Sequence, residues 1–286
     1  MNMKSWQDKA KILIESLPYI QYFRGKIIVI KYGGSAMLDE NLKKSLIRDV
    51  ALLQSIGFKP IIVHGGGKEI DKWLHIAGIE REFQDGLRVT NAATMEIVEM
   101  VLNKVSKELV GLLSEFGVHS CGLSGKDGRI LQVRAKNKDK LGYVGEVINV
   151  DSTLIHSVLT SDFVPVICPI GIGGEHKSYN VNADDAACAL AEALKVEKLV
   201  FLSDIEGVYE DYHDKDSLIT ELSIAHAERL IQEGKINGGM IPKIRSCIQA
   251  VRNGVSRVHI IDGRIQHCLL LEFFTNRGIG TAILDE

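Results

Sequence analysis

No apolar run in this 286-residue sequence approaches the roughly 18 residues that a bilayer-spanning helix needs. Charge of one sign is not in excess either. The 34 Lys and Arg against 37 Asp and Glu leave a net charge of −3, which argues against a nucleic-acid footprint. Cysteine is scarce and scattered. Cys121, Cys168, Cys188, Cys247 and Cys268 include no pair with metal-ligand or redox spacing, and their odd number points to a reducing compartment. The start lacks a signal-peptide pattern, because Asp8 and Glu15 interrupt it and no small-residue cleavage site follows; a cytoplasmic location is expected. No internal repeat or low-complexity segment is present. No G-x-G-x-x-G fingerprint follows a strand, and no phosphate-binding P-loop is complete. Gly122–Lys126 (GLSGK) falls short of the pattern, and in Gly171–Ser178 (GIGGEHKS) His176 stands where glycine is required.

What is present is apolar and punctuated by glycine. Hydrophobic residues make up 45% of the chain, enough for one large domain or two lobes sharing a sheet. Lys26–Ser35 (KIIVIKYGGS) is a short apolar run without alternation, so it is expected to form a strand covered on both faces, as in a parallel sheet. Its glycines let the backbone approach a ligand closely. Lys31 then lies at the carboxyl end of a central strand, where open α/β sheets bind ligands and a compact cation can meet a phosphate. Taken alone, a surface lysine is the simpler reading; it loses weight because similar sites follow.

Ahead of that strand, about residues 5–17 predict a helix with Trp6, Ala10, Leu13 and Leu17 on one face, ended by Pro18 and followed by Tyr19, Tyr22 and Phe23. The face fits packing on its own domain or on another subunit. After it, Asp39 or Asn41 is expected to cap a helix through about Ser55, and Lys59–His64 to form a second strand, which makes a right-handed βαβ unit. That strand runs into Gly65-Gly66-Gly67 and a helix N-terminus, an anion site in the making. Arg88, in the polar run Gln84–Thr90, suits bidentate capture of a carboxylate or simple solvation.

Asn91 opens a long helix to about Leu113, then a strand-rich section covers Arg129–Ala135 and Tyr143–Val150, and Phe163–Ile170 is expected as one buried strand. In Tyr179–Ala187, Asn180 and Asn182 point the same way on an extended chain, and Asp184 opens an alanine-rich helix, either as its cap or with a task of its own. Leu199–Asp204 is a strand ending in Ser203-Asp204. Gly238–Lys243 (GGMIPK) leads into a helix whose first turn holds Lys243, where the dipole disfavours a cation and a phosphate partner would explain one. Val258–Ile261 and Gly280–Leu284 supply the last strands.

Phosphate-like sites on strand ends without a P-loop, carried by KYGGSAM (31–37), IIVHGGGKEID (61–71), DGLRVT (85–90), YNVNAD (179–184), LSDIEGVY (202–209), GGMIPK (238–243) and HIIDGR (259–264), resemble the amino-acid kinase family over nearly the whole chain. Within it the runs resemble the branch that phosphorylates N-acetyl-L-glutamate. The resemblance implies an α/β fold, a three-layer αβα sandwich with a mainly parallel central sheet, plus an N-terminal helical arm over residues 1–24. The kinase domain would span 25–286, with a substrate lobe at about 25–178 and an ATP lobe at about 179–286.

It further implies transfer from ATP to the γ-carboxylate of N-acetyl-L-glutamate, the second step of arginine biosynthesis. Mg²⁺ would ride on the ATP phosphates rather than in a protein metal site. In these roles Lys31, Lys243 and Asp184 are catalytic, with Asp184 holding both lysines. Gly33, Gly34, Gly66 and Gly67 offer N–H groups, Gly66 and Gly67 to the substrate and Gly33 and Gly34 to phosphate. Arg88 takes the α-carboxylate, Asn180 the acetylamido part, and Ser203 and Asp204 lie beside the nucleotide. The arm and the run His267–Gly280 resemble the arginine-inhibited branch, whose members form a homo-oligomer, a hexamer built as a trimer of dimers. Tyr19, His267, Glu272, Gly278 and Gly280 are the implied effector residues, although Cys268, Asn276 and Arg277 depart from that branch's usual pattern. A signalling partner of the PII type is left open. The alternatives are a kinase of the same family acting on aspartate, glutamate, carbamate or a nucleotide, and an inactive amino-acid sensor. DGLRVT and YNVNAD speak against the first, and the retention of Lys31 and Lys243 against the second.

Overall fold

The computed structural model describes residues 3–37, 39–275 and 278–285. The chain opens with α1 (Met3–Phe23) and then β1 (Ile27–Tyr32), α2 (Glu40–Ser55), β2 (Lys59–His64) and α3 (Gly67–Ile76). A hairpin of β3 (Phe83–Gln84) and β4 (Leu87–Arg88) precedes α4 (Ala92–Ser114). Next come β5 (Ser120–Ser124), β6 (Leu131–Ala135), α5 (Lys138–Leu141), β7 (Val144–Val150), α6 (Thr153–Thr160), β8 (Val164–Cys168), β9 (Ile170–Ile172) and β10 (Ser178–Val181). The remainder is α7 (Ala183–Leu194), β11 (Lys198–Ser203), β12 (Val208–Tyr209), β13 (Leu218–Ile219), β14 (Glu221–Ser223), α8 (Ile224–Gln232), α9 (Met240–Arg252), β15 (Val258–Asp262), α10 (Cys268–Phe273) and β16 (Thr281–Leu284).

One eight-stranded sheet runs β14-β16-β15-β11-β1-β2-β8-β5. Its neighbours pair in parallel except β15 with β16. Strand residues alternate between faces. Ile28, Ile30 and Tyr32 enter one core with residues of α2, α4 and α10, whereas Val29 enters another with α7, α8 and α9. The expected three-layer αβα sandwich is therefore present, with β1 in its middle, and the carboxyl ends of β1, β2 and β11 form one rim.

Three local expectations are corrected. Pro18 lies inside α1 instead of ending it. A proline in a helix forfeits one backbone bond and costs roughly 3 kcal/mol. Here the turn beyond it is anchored: Phe23 is buried, with ring centroids 5.1 Å from Phe273 and 5.3 Å from Phe58. Trp6, Leu13 and Leu17, further up α1, remain exposed rather than covered by this chain. Second, the single strand expected over Phe163–Ile170 is two. Pro169 brings no N–H to a ladder, and there the chain leaves the large sheet (β8) and enters a small one (β9). That small sheet, β10-β7-β6-β9, closes on itself. Gly171 permits the closure, since a Cβ there would stand 2.3 Å from Val133 Cγ1. Third, Asp184 is not a helix cap. Asn182 caps α7, accepting from the N–H groups of Asp184 and Asp185, and leaves the Asp184 carboxylate for other work.

Candidate active site

Lys31, the last residue but one of β1, pairs between Val63 of β2 and Phe201 of β11. Its Nζ lies 2.9 Å from Asp184 Oδ1, while Lys243, in the first turn of α9, places Nζ 2.5 Å from Asp184 Oδ2. Lys243 also rides over the Phe201 ring, 5.0 Å from its centroid. Burial pushes the Asp184 carboxyl up, but the two ammonium groups outweigh it and hold the pKa below the usual value. The glycines after β1 fit around this cluster. A Cβ at Gly33 would lie 2.6 Å from Lys31 Nζ. Gly34 has φ +71°, and a Cβ there would stand 2.5 Å from Asp204 Oδ1. A side chain at Gly33 would displace the Lys31 ammonium and one at Gly34 the Asp204 carboxylate, and Gly34 needs glycine on conformational grounds as well.

The rim continues at β2. Gly66 is the N-cap of α3 and brings no side chain to it, so the first N–H groups of the helix are left for a ligand. The loop is fixed from behind by His64, fully buried, whose Nδ1 lies 2.8 Å from the Gly65 carbonyl oxygen. Burial lowers its pKa to about 4, so the ring is neutral and Nδ1 carries the donated proton. Arg88, at the end of the β3–β4 hairpin, is also buried. Its Nη2 is 2.7 Å from Asp71 Oδ1 and donates to the Gly67 carbonyl at 3.2 Å, and its guanidinium carbon is 4.7 Å from the Phe83 ring centroid. Nη1 has no partner. Asn180 reaches this place from β10, donating through Nδ2 to Thr90 Oγ1 at 3.2 Å. Gly66, Gly67, Arg88, Asn180 and Ala183 line one cavity of about 210 Å³, so the predicted substrate residues are brought together.

On the other side, Asp204 lines a cavity of about 550 Å³ with Gly207, Tyr209, Met240 and Arg264. Ser203 is placed less directly: its backbone carbonyl is taken by the Gly263 N–H at 2.9 Å. Arg264 grips Asp262 with Nε and Nη2, each at 2.8 Å. Ala183, next to Asp184 in α7, lines the first of these cavities, and Met240, in the same first turn of α9 as Lys243, lines the second.

A third cavity, about 450 Å³, opens between the end of α1 and the last strands and is lined by Tyr19, Tyr22, Glu272, Gly278 and Gly280, all but Tyr22 named as effector residues from sequence. His267, named with them, is elsewhere. It turns to α2, with Nδ1 2.6 Å from Asp49 Oδ1 and its N–H donating to Ser45 Oγ at 2.8 Å. The buried Asp49 carboxylate draws it away. In its place stand Lys198 and His259, 3.2 and 2.6 Å from Glu272 Oε1. Burial pushes the Glu272 carboxyl up, but His259 and Lys198 more than offset this and bring it to about 2. Cys268 is buried, with its thiol pushed up to about 12, and Asn276 and Arg277 lie outside the described residues.

Lys126 of the incomplete P-loop is engaged at 2.8 Å with both Glu99 and Ser178. His64, Asp71, Thr90 and Arg264 were not singled out from sequence, although each stands inside one of the runs quoted above. His259 likewise opens the run HIIDGR, whereas Lys198 carried a fainter signal, a polar residue at the start of an apolar strand.

The amino acid kinase family profile matches residues 26–262. Acetylglutamate kinase of Thermoanaerobacter pseudethanolicus is 53% identical over 280 residues, covering 97% of this chain and 94% of the relative. Acetylglutamate kinase of Campylobacter jejuni subsp. doylei is 51% identical over 281 residues, 98% of this chain and 100% of the relative. Among solved structures, N-acetylglutamate synthase from Neisseria gonorrhoeae, complexed with coenzyme A and N-acetyl-glutamate, superposes with a TM-score of 0.85 at 26% identity; the match covers 97% of this chain and 63% of that one. Carbamate kinase from Giardia lamblia shares the fold at a TM-score of 0.66 and 17% identity, over 92% of this chain and 99% of that one. With the sheet, the two-lysine cluster and the family profile in agreement, the chain belongs to the amino acid kinase family.

Proposed function

We propose that the chain transfers the γ-phosphoryl group of ATP to the γ-carboxylate of N-acetyl-L-glutamate, the second step of arginine biosynthesis. The observation that carries this reading is the pair of ammonium groups, Lys31 and Lys243, held on the two oxygens of one carboxylate, that of Asp184. Transfer between two anions asks for positioning and charge neutralisation more than for covalent help. The acceptor carboxylate is already ionised at neutral pH, so its oxygen attacks the γ-phosphorus without a general base. The bond to the bridging oxygen breaks and ADP leaves.

Lys31 meets the transferred group from the acceptor side and Lys243 from the nucleotide side. Asp184 remains an anion and keeps the two cations together despite their repulsion. N–H groups at Gly33, Gly34, Gly66 and Gly67 supply further neutralisation. Arg88 Nη1, buried and unpartnered, is a ready donor for the α-carboxylate, and Asn180 for the acetylamido group. The cavity with Asp204 suits the nucleotide. Among the described residues no group of three His, Cys, Asp or Glu is placed to hold a metal ion. Mg²⁺ would arrive on the ATP phosphates and supply charge neutralisation there.

The reading extends to feedback inhibition by arginine in the cavity between α1 and Glu272, and to an oligomer built through the exposed apolar face of α1. ATP consumption with N-acetyl-L-glutamate, compared with glutamate, aspartate and carbamate, tests the substrate. Equal or faster turnover of any of the other three would replace N-acetyl-L-glutamate as acceptor, and no turnover of any would favour a sensor.

A further inference from the structure

Arg88 is buried, yet it is not simply parked. One side of its guanidinium meets Asp71 Oδ1 at 2.7 Å, Nη2 also donates to the Gly67 carbonyl at 3.2 Å, and one face lies on Phe83. The remaining amino group, Nη1, is buried without a partner. A donor left this way is costly unless a ligand completes it. The carboxylate that fixes it comes from α3, the helix whose N-terminus is the Gly66–Gly67 loop, so arginine and loop share one support.

We infer that Asp71 is a positioning residue for substrate binding: it holds the Arg88 fork so that Nη1 faces the α-carboxylate of the acceptor. The inference rests on the acceptor reading given above. An anion beside an anion-binding arginine would ordinarily weaken binding by cancelling its charge. Here the second Asp71 oxygen, Oδ2, lies 3.3 Å from Arg81 Nη1. Two guanidinium groups share one carboxylate, and the cluster keeps a net positive charge. Arg81 is largely exposed, so it balances Asp71 without occupying the substrate cavity.

Orientation and charge make opposite forecasts for Asp71→Asn, which removes a negative charge next to the site but loses the charge-assisted anchor of the fork. Steady-state kinetics with each substrate varied in turn, and calorimetric binding of N-acetyl-L-glutamate, are measured for the full chain, Asp71→Asn and Asp71→Glu, with a thermal melt of each. The expected result for Asp71→Asn is a KM and Kd for N-acetyl-L-glutamate raised by about tenfold, the order of the one hydrogen bond to the charged α-carboxylate that Nη1 no longer makes when its ion pair does not hold it in place. kcat and the ATP KM should stay within about twofold, and Asp71→Glu should recover part of the affinity, since it keeps the charge. Unchanged or tighter binding by Asp71→Asn overturns the inference in favour of charge alone. An equal rise in the ATP KM overturns it in favour of a general loss of structure. Failure of the wild-type chain to bind or turn over N-acetyl-L-glutamate would instead overturn the acceptor reading, and is read from the unsubstituted protein alone.

Discussion

Lys31 and Lys243 stand on opposite oxygens of a single carboxylate, at 2.9 and 2.5 Å from Asp184 Oδ1 and Oδ2. One lysine lies in the first long strand, β1, and the other in the first turn of the penultimate helix, α9, so the centre of charge is assembled from distant parts of the chain. In the proposed mechanism each ammonium faces charge that is redistributed as the phosphoryl group moves. Lys31→Ala and Lys243→Ala are each expected to lower kcat by on the order of 10²-fold, the scale of losing one oxyanion donor, with KM moving less. Initial-rate kinetics decide this, and an unchanged kcat removes that lysine from the mechanism.

Arg88 and Asn180 line the cavity proposed above for the acceptor and not the one lined by Asp204. Arg88→Lys keeps the charge and loses the fork. Asn180→Asp replaces the donor that reaches Thr90 with an anion beside an anionic ligand. Both are expected to raise the KM for N-acetyl-L-glutamate by roughly tenfold or more, given ~1.5–3 kcal/mol for hydrogen bonds to charged groups. The ATP KM should change little, and the opposite pattern would exchange the assignments of the two cavities.

Asp49 makes a pH prediction. It is buried, and burial pushes its carboxyl up to about 6 against the lowering pull of His267. A carboxyl whose folded pKa is raised above its unfolded value stabilises the fold below the unfolded pKa and loses that contribution as pH rises through the folded one. The wild-type chain should lose stability between about pH 4 and pH 6 from this group. Asp49→Asn keeps an oxygen for His267 and carries no charge. Its denaturation free energy should exceed the wild-type value by on the order of 2–3 kcal/mol at pH 8, given ~1.4 kcal/mol per pKa unit, and by little at pH 4. Equal stabilities at pH 8 would show that His267 compensates the buried charge in full.

The cavity near Glu272 and the exposed face of α1 predict a truncation phenotype. Removing residues 1–24 would also remove Phe23, which is buried against Phe58 and Phe273. Ending the deletion at residue 17 keeps Tyr19, Tyr22 and Phe23 while taking away the exposed Trp6, Leu13 and Ile14. The shortened chain should remain active, because Lys31 and all later residues are intact, but lose the larger assembly and arginine inhibition together. Light scattering alongside activity with and without arginine checks both. A truncated chain that keeps its assembly and its inhibition would defeat the link between arm and effector.

Much of this architecture was legible because the signals are local. An apolar run followed by glycines marks β1 and β2 as buried strands that end in ligand loops, and Asp39 and Asn91 cap their helices as their side chains suggest. Harder to read was whatever depends on distant partners. Pro18 is followed by a turn whose Phe23 is held by aromatic rings far along the chain, Phe58 and Phe273. The split at Pro169 requires a second sheet to receive β9, which no local pattern announces. His267 lies close in sequence to the residues of the Glu272 cavity, yet a buried aspartate on α2 claims it. Nothing in the sequence singles out Asp71, because only the fold brings Arg88 of the following hairpin against it.

The placement of β1 also bears on how the molecule is made. Its two neighbours are β2, which follows it closely, and β11 at Lys198–Ser203. A growing chain on the ribosome can pair one edge of β1 early, but the other edge stays open until the far half has been synthesised. An open apolar strand edge invites wrong partners, and closing so long a loop is slow. Asp184 arrives in the same late stretch, just ahead of β11. Truncated translation products should therefore be inert and adhesive, and nascent chains should depend on holding chaperones until that strand docks.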